Sequence, residues 1–336
     1  MKLHTLATLI TLGLSGSALA FSSTPSAPEV TMDKYVEAET DWYFAGVQKK
    51  TDVNTWIHDA SVSIENQQVI RSNRDVVYSI AIVDVSEGAT FTVPDSEHYQ
   101  IIHLMDEQHL SHQVVSRGES LTINADDING DYVYLLARTK IAGNDTAERQ
   151  AQLKIEANSQ RPYVSKGYNE EDVKALRQKL VMEFVQGDVK IIEHMSFVKD
   201  FKDADPISYT YATAVGYGGL PSYEAQYLPY VVGGGSAAEC QTFNMPKPDL
   251  DYENGGFFSL TTYDTAGWIV EDNFYIGHES MKDNGDTFEV AFSCPNVAHS
   301  IDVQEGWTGV WRFYKPSNEM AFIDYIEGIR SVSVEK

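Results

Sequence analysis

Between residues 76 and 140 the chain runs through short β-branched and aromatic stretches in close succession: VVYSIAIVDV, ATFTV, YQIIHLM, HQVVS, ESLTIN and YVYLLART. Only turn signals separate them, EG at 87–88, PD at 94–95, RGE at 117–119 and NG at 129–130. Side chains of this kind suit a pleated surface, and Gly, Pro, Asn and Asp allow the tight reversals between strands. Parallel strands need a crossover of a dozen or more residues, and there is no room for one here. An antiparallel sandwich or barrel is therefore expected. The same grammar returns after Ala238 in ECQTFNM, FFSLTTYD, GWIV, TFEVAFSC, GWTGVWRFYK and a terminal SVSVE. AGW at 266–268 and DNGD at 283–286 read as its hairpin turns.

Helical signals sit outside these two blocks. A short helix is expected from Asp33 to about Gly46. Asn169 is a good N-cap followed by acids, and Val173, Leu176, Leu180 and Phe184 share one helical face before Gly187. VKIIEHMSFVKDF at 189–201 reads as a second amphipathic helix. PISYTYATAVGYGGLPSYEAQYLPYVVGGG, residues 206–235, reads as irregular packed loops dense in Tyr and Gly. The expected organisation is a signal peptide at 1–20, a flexible lead-in at 21–32 and a first β-sandwich at 33–160. A helical and Tyr/Gly-rich connector at 161–235 and a second β domain at 236–336 complete it.

The opening MKLHTLATLITLGLSGSALA has a Lys near its start, an apolar run too short to span a bilayer, and Ala18-Leu19-Ala20. That is the pattern of a secretory signal cleaved near Ala20, so a periplasmic or secreted protein is expected. No other apolar stretch approaches the length of a membrane span. The formal net charge of −24 repels phosphate backbones and excludes nucleic acid as a natural partner. Cys240 and Cys294 are the two cysteines of the chain. In an oxidising compartment they pair most simply as one disulfide inside the second β domain, worth about 4 kcal/mol on the chain-entropy model.

The run NTWIHDASVSIENQQVIRSNRDVVYSIAIVDV, with Asn73, Asp75, Tyr78 and Ser79 opening a strand, resembles the domain of unknown function numbered 1254. VPDSEHYQIIHLMD and LLARTKIAGNDTAERQAQ continue that resemblance. Ser259 to Asp264 in GGFFSLTTYD and Arg312 to Pro316 in RFYKP resemble the partner domain numbered 1214. The resemblance implies an immunoglobulin-like sandwich followed by a jelly roll.

Asn73, Arg74 and Asp75 stand together at the mouth of the strand that starts at Val76, and two readings are open. The Asx side chains can bond nearby amides and fix the turn. Alternatively Asp75 and Tyr78 form a rim with Arg138, a carboxylate, a phenol and a guanidinium able to grip a polar ligand. Asp264 and Arg312 present the same choice: a buried pair tying two strands, or a pocket with Trp268 and Trp311. His98, His103, His109 and His112 have no established metal spacing, so neither a metal nor a cofactor is expected. DINGD at 127–131 reads as an Asn-Gly hairpin turn rather than a calcium loop. No nucleophile elbow, zincin motif or phosphate loop occurs. The leading expectation is a protein that binds a small polar or carbohydrate-like ligand or assembles into a homo-oligomer in the envelope. The alternative is a periplasmic hydrolase or lyase using Asp75, Tyr78, Arg138 or His58 for acid–base work.

Overall fold

Strands that are buried on both faces read as continuous apolar runs rather than as alternating ones. VVYSIAIVD, QIIHLMD and YVYLLARTK are such runs, and each is buried along nearly its whole length. In the computed structural model they form the centre of a stack of sheets. The structure describes residues 27–67, 69–229 and 239–330. The expected signal peptide, the first half of the lead-in and the expected strand SVSVE lie outside the described residues.

The chain opens with α1 (Tyr35–Gln48), then β1 (Ile57–His58), β2 (Val76–Asp84), β3 (Ala89–Thr92), β4 (Gln100–Asp106), β5 (Ser111–Ser116), β6 (Ser120–Ile123) and β7 (Tyr132–Lys140). A short helix α2 (Thr146–Ala151) leads to β8 (Lys154–Ala157), followed by α3 (Glu170–Gln186), α4 (Pro206–Val215) and β9 (Ala225–Pro229). The second half contains β10 (Gln241–Pro246), β11 (Phe257–Tyr263), β12 (Tyr275–Gly277), β13 (Lys282–Asp283), β14 (Thr287–Phe292), β15 (Ser300–Ile301) and β16 (Thr308–Tyr314), closed by α5 (Glu319–Arg330). The protein is mainly β, as expected, with sandwich packing in both halves. The strand orders are β1-β2-β7-β4-β5, β6-β3-β8, β12-β11-β16-β9 and β10-β14-β13, with β15 beside β14. All pairings are antiparallel except β14–β15.

Alternation along the strands fixes the order of the layers. Ala81, Val83, Leu104, Val133 and Leu135 face Phe91 and Ile123 of the three-stranded sheet. On the opposite face of the same strands, Ile82, Met105, Tyr134 and Leu136 lie under Phe44 and Val47 of α1. Further along that face, Val76 and Ile101 meet Ala225 of β9, Phe257 of β11 and Tyr314 of β16. Phe258, Leu260, Trp311 and Phe313 then point the other way, onto Phe243, Val290 and Phe292, with Phe322 and Ile326 of α5. The two β halves thus touch each other directly. The helices α1, α3 and α4 pack together, and α1 also packs against β2.

Cys240 and Cys294 form the expected disulfide, closing a separation of 54 residues beside the β10–β14 pair. Asn169 caps α3 by accepting from Glu171 and Asp172 N–H groups, and Gly187 ends it in the left-handed region.

Four expectations are corrected. Residues 189–201 carry no long helix but a short turn at Glu193–Met195 and the start of another at Phe201–Asp203. Val189 and Ile191 pack inward while Ile192 is exposed, which is a period of two and not of a helix. The Tyr/Gly-rich segment begins with a helix, α4, because Asp205 caps it and Pro206 occupies the first turn. GWIV is not a strand: Asp264 takes the Ala266 and Trp268 N–H groups, and the Gln67 amide pairs with both the N–H and C=O of Ile269. Asn129-Gly130 is not a hairpin, since β6 and β7 belong to different sheets; Asp106 and Glu107 hold this crossover instead.

Candidate ligand-binding site

The register of β2, β7 and β4 places Tyr78 opposite Arg138, and Arg138 opposite Ile101. Across the layer boundary, Arg312 of β16 lies between Ser259 of β11 and Tyr227 of β9. These residues share the space between the two central sheets, where apolar side chains would be the cheap choice. Asp75 has 1 % of its surface exposed, and Arg138 and Arg312 have 4 % each. Asn73, Tyr78 and Tyr227 remain half-buried, so this edge of the cluster reaches solvent.

Hydrogen bonds tie the cluster across the boundary. Asn73 Nδ2 donates to the Tyr314 hydroxyl at 2.9 Å and to the Tyr78 hydroxyl at 3.2 Å, while its Oδ1 accepts from Asp75 N at 2.8 Å. Tyr314 donates to Asp75 Oδ2 at 3.0 Å. Arg312 donates to Thr261 Oγ1 at 3.0 Å, and to the Arg71 carbonyl and Tyr263 hydroxyl at 2.9 Å each. Tyr263 in turn donates to the Ser72 carbonyl at 2.8 Å. Tyr99 donates to Glu224 Oε1 at 2.8 Å. Both readings of Asn73 and Asp75 therefore meet in one place: the side chain of Asn73 fixes the turn, and Asp75 belongs to a convergent polar group.

Arg138 stands apart in its partners. Its Nη2 donates to the Gly218 carbonyl at 2.7 Å, and its guanidinium sits 5.6 Å from the centre of the Tyr78 ring. Gly218 N–H donates to His109 Nε2 at 2.9 Å, so the His109 Nδ1 carries the proton and faces Thr213 Oγ1. Burial holds the His109 pKa down at about 3, which keeps that acceptor neutral. Gly218 has φ of +75°, and a Cβ there would meet Leu136 Cδ2 at 2.8 Å. A side chain there would have to displace the Leu136 methyl and adopt a backbone conformation that favours glycine.

Burial and the neighbouring charges keep the phenols protonated. The Tyr314 pKa rises well above its ordinary value, first by burial and then by Asp75; that of Tyr99 rises by burial and Glu224. Burial pushes Tyr227 up to about 12. Burial works against the charge on Arg138, yet the oxygens of Tyr78, Tyr227, Tyr99 and Tyr314 outweigh it and raise its pKa. The site is a set of fixed hydrogen-bonding groups around two guanidinium ions and one carboxylate.

The other expected residues do not join it. Successive residues of β2 face opposite ways, and His58 bonds Ser79 Oγ at 2.7 Å on the face away from Tyr78. Asp264 and Arg312 do not pair, because Asp264 is taken up by its own turn. Trp311 is fully buried in the outer core with Phe243, on the face opposite Arg312, and Trp268 lies on the surface with 37 % exposed. The histidines scatter: His103 bonds Ser111, and His112 bonds Asp106 at 2.9 Å. Among the described residues no group of three or more such ligands could hold a metal. Tyr99, Gly218, Glu224, Tyr227, Tyr263 and Tyr314 were not foreseen. The alternation Val310, Arg312, Tyr314 against Trp311, Phe313 was the available signal for Tyr314.

Comparison with known proteins gives a likeness of fold. The structure of the VPA0106 protein from Vibrio parahaemolyticus superimposes with a TM-score of 0.65 at 16 % identity, covering 87 % of this chain and 94 % of that one. An uncharacterized protein from Burkholderia cenocepacia gives a TM-score of 0.49 at 13 % identity, covering 85 % of this chain and 84 % of that one. No curated protein sequence matches the chain. Residues 53–122, which carry β1 to β5 together with Asn73, Asp75 and Tyr78, match the model of the family described as "Protein of unknown function (DUF1254)".

Proposed function

We propose that this protein is an exported binding protein that takes a small polar ligand between its two central sheets, at Asn73, Asp75, Tyr78, Arg138 and Arg312. One observation carries the reading. Polar side chains from five strands and one loop converge at core positions, and two tyrosines at their edge, Tyr78 and Tyr227, are only partly buried. Sequences break the rule of an apolar core mainly where function requires it. Export is supported by the closed Cys240–Cys294 bridge and the N-terminal pattern. Among the described residues, no helix is long and apolar enough to cross a membrane. We assign the second half to the partner domain numbered 1214 on the motifs Ser259 to Asp264 and Arg312 to Pro316.

The hydrolase or lyase reading has less support, since His58, its best base, lies on the other face of β2 from Tyr78. Native mass spectrometry of protein taken from the producing cell tests the binding reading. A retained small molecule is expected in the wild type and not in a Tyr78→Phe/Tyr227→Phe variant. Equal retention by both would place the ligand elsewhere, and bare protein that binds nothing on incubation with cell extract would remove the reading.

A further inference from the structure

Arg138 is a buried cation that forms no salt bridge among the described residues, although Glu224 lies within its field. Taking a guanidinium out of water costs several kcal/mol unless an anion and hydrogen bonds replace the lost solvation. Arg138 has one hydrogen bond, from Nη2 to the Gly218 carbonyl, and its Nη1 is buried with no partner. Among the described residues, neither Asp75 nor Glu224, the carboxyl groups of this layer, hydrogen-bonds to Arg138, and Asp75 Oδ1 is itself buried without a partner. Asp75 Oδ2 accepts from Tyr314, and Glu224 Oε1 accepts from Tyr99. The other guanidinium of the layer is more fully bonded: Arg312 makes three hydrogen bonds. The contrast between the two arginines singles out Arg138 as the guanidinium with donors to spare.

We infer that the ligand of the inter-sheet site carries a carboxylate, which lies against the free Nη1 edge of Arg138, and hydroxyl groups that meet the phenols. This rests on the binding reading above and adds the ligand's charge to it. A carboxylate fits because it is planar and accepts from the guanidinium edge in a fixed geometry. The hydroxyls fit because the phenol groups of Tyr78, Tyr99, Tyr227 and Tyr314 can both donate and accept. The ligand class is therefore a small hydroxy acid or sugar acid rather than a neutral sugar. Entry is from the side where Tyr78 and Tyr227 reach solvent.

The test is calorimetric titration of the full-length, disulfide-closed protein with four probes at millimolar concentration: gluconate, lactate, glucose and chloride. Gluconate and lactate should bind, and glucose and chloride should be weaker by roughly tenfold or more. Arg138→Gln should weaken gluconate by roughly thirtyfold or more. Glucose binding as well as gluconate would overturn the carboxylate assignment and leave the binding site standing. Chloride matching gluconate would reduce the site to a simple anion hole and overturn it too. If none of the probes binds, the carboxylate assignment falls, while the mass-spectrometric test still decides the binding reading. Should Arg138→Gln fail to fold, the four wild-type titrations decide the matter by the same criteria.

Discussion

Glu224 is the residue whose burial has the clearest measurable cost. With 6 % of its surface exposed, its pKa is pushed up by burial from 4.5 to about 7, against the pull of Lys315, the Tyr99 hydroxyl and Arg138. In the unfolded chain the same group ionises near 4.5. Its contribution to folding is thus complete below that pH and is lost as the pH rises through about 7. The gap corresponds to about 3 kcal/mol. Glu224→Gln keeps an acceptor for Tyr99 and cannot ionise. Thermal unfolding across the pH range should find the variant melting several degrees above the wild type at pH 8 and level with it at pH 4. Coincident curves at pH 8 would mean that Glu224 ionises in the fold as freely as in water.

At the scale of elements, α3 offers a clean test of what capping contributes. Asn169 Oδ1 accepts from Glu171 N at 2.9 Å and Asp172 N at 3.1 Å, and Asn169→Ala removes both bonds. A loss of about 1 kcal/mol is expected in urea unfolding, with Asn169→Asp close to wild type. No loss would show that α3 frays without consequence for the fold. This helix was legible because its signals are local: a cap, a 3.6 period and a closing Gly. The strands from β2 to β7 were legible for the same reason. The short segment at 189–201 was not, because its apolar residues fit two periods and tertiary packing chose between them. α4 was hidden by a composition of Tyr and Gly that outweighed the Asp205-Pro206 start. The candidate site was half legible. Tyr78 and Arg138 could be singled out, but their neighbours Tyr227, Tyr314 and Glu224 arrive from segments more than eighty residues away, through a sheet contact no local pattern encodes.

For the whole molecule, the layering makes the two halves interdependent. The face of β2, β4 and β7 that carries Val76, Ile101 and Arg138 is covered by strands of the second half. Separating the halves would expose that apolar face and strand Arg138 and Asp75 in a surface built to be inside. Scanning calorimetry should therefore find one cooperative transition, with calorimetric and van't Hoff enthalpies in agreement. Two resolved transitions would show that each half is stable alone. The strand order has a practical consequence as well. The family match ends at residue 122, whereas β7, residues 132–140, lies between β2 and β4 in the sheet. A fragment cut at the limits of that match would lose its middle strand and present two open apolar edges, which is a recipe for inclusion bodies. Similarity marks which stretch has stayed alike; the scissors must follow the hydrogen-bond ladder.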